Sequence, residues 1–82
     1  MNESKKETFH AVRSAITTVL KVPEDQVVAH GNIRDLRNVD SMALMEVVAL
    51  TESQLGIDID VGLLFEVETV GAFVDLCEKL RS

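Results

Sequence analysis

The sequence predicts an all-α fold: a small four-helix bundle with three longer helices, a short third one, and a long loop between helices one and two. Three observations carry this expectation. Apolar residues recur at three- and four-residue steps in separate segments, each segment begins next to a side chain able to cap it, and no stretch alternates long enough to build a paired strand. The chain has 82 residues, a length that buries roughly 60% of its unfolded surface. That suffices for one core and one compact unit, without a deep cleft beside it.

Helix one is expected from "SKKE" at residues 4 to 7, a capping box in which Ser4 accepts from a free backbone N–H and Glu7 reaches back. Phe9, Val12, Ile16, Val19 and Leu20 then mark an apolar face, with Arg13, Ser14 and Thr17 on the other side. Pro23 disfavours helical geometry at Val22 and ends the run. From Lys21 to Val39 no periodicity survives, although "PEDQV" suits one short turn and "HGN" a bend. So long a segment in a small domain reads as a covering loop, pinned by Val27, Val28, Ile33 and Leu36.

Helix two is expected from Ser41 to Leu55, stopped by Gly56, with Leu44, Val47, Val48, Thr51 and Leu55 facing inward. "GIDID" is too isolated for a strand and reads as a connector anchored by Ile57 and Ile59. After Asp60, a suitable cap, a short third helix would bury Val61, Leu64 and Phe65, although Gly62 weakens it. Thr69 caps the last helix, whose stripe is Val70, Phe73, Val74, Cys77 and Leu80.

Charge and composition narrow the function. Eight basic residues against fourteen acidic ones give a formal net charge of −6, which repels nucleic acid and anionic lipid and favours encounters with proteins showing a basic patch. The same acidity also simply keeps a small domain soluble. No apolar run approaches the ~18 residues of a membrane span, so membrane insertion is not expected. The N-terminal residues show no signal-peptide core, and the lone Cys77 has no internal disulfide partner. A monomer in the cytoplasm is the expectation.

Catalysis finds little support. A hydrolase would need Ser41 activated by a base, and the candidates are His10 and His30, neither placed by any motif; both read as solvated side chains. Cys77 reads as a buried, inert core thiol. "DID" at residues 58 to 60 lacks the register and the bidentate glutamate of a calcium loop, so no metal site is predicted. Ser41 is better read as a substrate, because the first turn of a helix offers unpaired N–H groups and a positive dipole to a phosphate ester. Taken alone, Asp40 and Ser41 are equally good cap residues.

The pair is not alone. "DSM" opening an amphipathic helix after a long loop, "LGIDI" at its end, a short third helix and "ETVGAFVDLCEKL" closing the chain resemble the acyl carrier protein family across residues 1–82. The resemblance implies a single acyl-carrier-type domain whose covalent cofactor is 4'-phosphopantetheine, attached to Ser41 by a phosphopantetheinyl transferase. It also implies that Asp40 engages the transferase and its divalent metal. The chain would then be a non-catalytic carrier of acyl thioesters in fatty acid, polyketide or related biosynthesis. Its partners would be acyl- or aminoacyl-loading ligases and synthase enzymes with basic docking patches.

By the same resemblance Met42, Met45, Glu46, Ala49, Glu52 and Ser53 form the partner-binding face of helix two. Glu46 and Glu52 would meet basic side chains; Met42 and Met45 would give adaptable apolar contact or pack partly into the core. Two departures point away from a housekeeping fatty-acid carrier and toward a specialised lipid or polyketide pathway. Arg37, Asn38 and Val39 precede the pair where the family often has a glycine, and Ala43 stands where an acid is common. The alternatives are an aminoacyl or peptidyl carrier of a nonribosomal-peptide-type system and an unmodified acidic helical adaptor.

Overall fold

A computed structural model describes residues 2–82 and contains three α-helices, α1 (Glu3–Leu20), α2 (Ser41–Leu55) and α3 (Val70–Arg81). Three 3-10 turns join them, at Glu24–Gln26, Ile33–Asp35 and Val61–Glu66. The all-helical bundle expected from the periodicity is present, and its short third helix is the last of these turns.

Helix α1 begins earlier than the capping box suggests. Asn2 is the cap: its side chain accepts from the Lys5 N–H at 2.7 Å. Ser4 therefore lies inside the helix, and its hydroxyl donates instead to Glu78 at 3.1 Å. Asparagine caps as well as serine does, so the earlier of two overlapping caps prevails. The helix ends at Leu20, before Val22, because Lys21 turns left-handed (φ 58°) and returns its N–H to Thr17.

Helix α2 keeps its expected bounds. Asp40 caps it, and Gly56 closes it in the left-handed conformation (φ 65°), where a Cβ would be strained. Thr69 caps α3 through the Ala72 N–H.

The core forms where α1 packs on both α2 and α3. Val12, Ala15, Ile16 and Leu20 meet Val47 and Val48 on one side and Val70, Phe73, Val74 and Cys77 on the other, all buried. Two buried threonines are satisfied internally: Thr51 donates to the Val47 carbonyl, and Thr8 donates to the Ser4 carbonyl while accepting from Arg81 at 2.7 Å. Neither leaves an orphaned hydroxyl in the core.

The long loop is pinned, though not by every residue expected. Val27 and Ile33 are buried and Leu36 is half-buried, whereas Val28 is exposed. The loop's backbone does the rest, since carbonyls of Ala29 and Gly31 accept the Gly71 and Val70 N–H groups while Ile33 donates to Glu68. First-turn amides of α3 thus find partners that a helix cannot supply itself. At this junction a Cβ on Gly71 would lie 2.9 Å from the Ala29 oxygen. Gly71→Ala, which in an open helix would gain about 1 kcal/mol, is therefore expected to destabilise the fold by about 1–3 kcal/mol. Urea unfolding measures the sign; a stabilised variant would show that the loop gives way at no cost.

Ile59 anchors the connector after α2 and is buried; Ile57 is half-buried. The third helix departs from its expected packing. Only Leu64 is buried, while Val61 is 38% and Phe65 77% exposed. The expected stripe assumed 3.6 residues per turn, but the segment is a 3-10 turn with three per turn. That period aligns Leu64 with Val67 and swings Phe65 out to solvent. Leu80, near the end of α3, is also exposed.

Candidate functional site at the start of helix two

Ser41 is the first residue of α2 and is exposed. Its cap is set before it: Asp40 is extended (φ −145°, ψ 177°), and its Oδ1 accepts the Ala43 N–H at 2.7 Å. The Asp40 carbonyl takes the Leu44 N–H at 2.9 Å. Because Asp40 provides the cap, the serine hydroxyl is not used for it, and it makes no hydrogen bond among the described residues. The amides of Ser41 and Met42 lie in the unpaired first turn, at the positive end of the helix dipole.

The approach to this helix is also fixed. Asn38 adopts a left-handed backbone (φ 67°), and its side-chain amide donates to the Leu20 carbonyl at 2.9 Å. One residue thus clamps the loop onto the end of α1 and turns the chain into the Asp40 cap. Asparagine is, after glycine, among the residues that tolerate this conformation best.

An apolar groove of about 90 Å³ opens beside Ser41, lined by Arg34, Leu44, Met45, Val61, Leu64 and Phe65. Its one charged lining residue is Arg34, an exposed side chain whose Nη1 makes a long 3.4 Å contact with the Val67 carbonyl. Neither histidine lines it; His10 and His30 are both exposed.

On the outer face of α2, Met42 is 74% and Met45 46% exposed, so Met42 points outward and Met45 borders the groove. Glu46, Ala49 and Ser53 are exposed as well. Glu52 differs: it is half-buried, and its Oε2 accepts the Ile59 N–H at 2.7 Å. That bond ties the connector back onto α2.

Cys77 is fully buried, and burial, with the nearby Glu78 charge adding to it, pushes its thiol from 9.0 to about 11. Between those pH values the unfolded chain loses the proton while the folded chain keeps it. Stability contributed by the neutral thiol is therefore intact below pH 9.0 and falls as pH rises toward about 11, by on the order of 2–3 kcal/mol. Urea titrations across this range should show a steeper alkaline loss for the parent than for Cys77→Ala; equal slopes would mean the thiol ionises freely in the fold.

A free hydroxyl on a capped helix, first-turn amides, one arginine and an adjoining apolar groove meet at the start of α2, a chemistry suited to a phosphate-linked group, and neither histidine lines the groove. Comparison with known proteins agrees. The family described as phosphopantetheine attachment site matches residues 10–77. The chain is 36% identical to an acyl carrier protein of Thermotoga maritima over 93% of its own length and 94% of that protein's. It is 33% identical to one of Petrotoga mobilis (95% and 93% covered) and 28% identical to one of Saccharopolyspora erythraea (88% and 76%). The chain belongs to the acyl carrier protein family, and its prosthetic group is covalently attached 4'-phosphopantetheine. Members of this family are non-catalytic carriers.

Three residues of the site were not legible as such: Arg34, Asn38 and Phe65. Asn38 had a signal, since an asparagine two residues before a cap is a natural left-handed turn. Arg34 had none, because its place beside the groove depends on how the loop packs. Phe65 was taken for core through the wrong helical period.

Proposed function

We propose that Ser41 carries the phosphopantetheine arm and that the whole chain works as one carrier unit, presenting acyl thioesters to partner enzymes in the cytoplasm. The single observation behind this reading is the exposed, unbonded Ser41 hydroxyl at the start of a helix that another residue already caps. The group supplies the thiol on which an acyl chain rides. The chain's own residues hold and aim it: Asp40 sets the helix start and engages the phosphopantetheinyl transferase with its divalent metal, while the first-turn amides favour the phosphoryl charge.

Partners dock on Met42, Met45, Glu46, Ala49 and Ser53, with Glu52 holding that face in shape through Ile59. With one carboxylate of α2 engaged internally, apolar contact contributes more to docking than charge does. This thin acidic face favours a specialised lipid or polyketide pathway. The test is incubation with coenzyme A, magnesium and a broad-specificity phosphopantetheinyl transferase, followed by intact mass and peptide mapping. One added group on the peptide containing Ser41 is expected; no addition, or addition elsewhere, overturns the reading.

A further inference from the structure

We propose that Arg34 is a positioning residue for the arm: its guanidinium pairs with the phosphodiester at Ser41 and lays the arm along the groove instead of leaving it free in solvent. The inference rests on attachment at Ser41. Arg34 and Ser41 line the same small groove, whose other walls are the apolar side chains of Leu44, Met45, Val61, Leu64 and Phe65. The ion pairs among the described residues engage Lys5, Arg13 and Arg81, and none engages Arg34. The one hydrogen bond its side chain makes among the described residues is at the limit of length, so most of its five donors remain for an anion.

In a chain of net charge −6, a cationic residue lining this otherwise apolar groove is out of keeping with the general surface. The chain itself would acquire an anion at this groove, since any phosphoryl group on Ser41 is fixed at its mouth. Arginine matches phosphate oxygens in two-pronged fashion. An arm held at its phosphate then needs only apolar contact to lie against Val61, Leu64 and Phe65. This also accounts for Phe65, an aromatic side chain 77% exposed at the groove's edge, as a wall that the arm covers.

The test uses the holo chain with its arm as the free thiol and no cargo, so that the phosphodiester is the one added anion. Intact mass first establishes the arm on Ser41. Alkylation of the arm thiol by iodoacetamide near pH 8 is then followed at low salt; Cys77 is sealed in the core and does not contribute. Arg34→Gln should react about twofold to fivefold faster than the parent, the range an exposed ion pair produces, and added salt should erase the difference. Arg34→Lys should fall between them. Nuclear Overhauser contacts from the arm's methyl groups to the Phe65 ring should be present in the parent and lost in Arg34→Gln. Equal alkylation rates with unchanged contacts would overturn the proposal while leaving attachment at Ser41 intact. A chain that accepts no arm at Ser41 would overturn both.

Discussion

Ser41→Ala is expected to fold as the parent does and to take up no phosphopantetheinyl group from coenzyme A. The two halves of this result have separate causes. The fold does not use the hydroxyl, because the cap on α2 is Asp40, whose Oδ1 already accepts the Ala43 N–H. Alanine is also the better helix former, by a few tenths of a kcal/mol, so the thermal midpoint should hold or rise slightly. Modification, by contrast, should vanish completely, since in the proposed function the hydroxyl oxygen is the atom that accepts the phosphoryl group. Intact mass after exposure to the transferase reads one half and thermal unfolding the other. A modified Ser41→Ala chain would place the tether on a different residue; a chain that failed to fold would show that the hydroxyl has a structural duty.

Phe73→Ala should cost about 3–5 kcal/mol, the range for removing a large buried aromatic. Phe73 is 1% exposed, on the face of α3 that meets α1, and is the largest fully buried side chain. Domains of this size are stable by roughly 0.05–0.15 kcal/mol per residue, so the loss would consume from about a quarter of the total to all of it. Urea unfolding should show a loss of that size in the extrapolated free energy, with a correspondingly lower midpoint. Leu80→Ala, on the same helix at a position 39% exposed, should cost far less. A small loss at Phe73 would mean that α3 can collapse into the space it leaves.

How much was legible follows from which interactions are local. Helix α2 could be bounded because both ends carry their own chemistry, a carboxylate cap at Asp40 and a left-handed glycine at Gly56. The start of α1 was missed because two capping residues stand two positions apart, and sequence does not rank Asn2 against Ser4. The start of α2 at an exposed Ser41 was legible from its motif and its place after a loop. Its surroundings were less so. The groove requires the loop bearing Arg34 to reach the 3-10 segment bearing Phe65, a contact between residues 31 positions apart that periodicity does not encode. Phe65 was misplaced for a different reason, since three residues per turn move it off the face that Leu64 shares with Val61 and Val67; the exposure of Val61 has no such account. Glu52 read as a free docking charge because its bond to Ile59 forms only once the connector folds back.

The buried thiol of Cys77 bears on how long a payload stays where it is put. Thioesters migrate to any thiolate within reach, and a sulfhydryl exposed on the same polypeptide would be present at high effective concentration. Enclosed in α3 and reluctant to ionise, Cys77 is no such acceptor. With the chain's one cysteine enclosed, a thioester on the proposed arm has no thiol of its own carrier to which it could transfer.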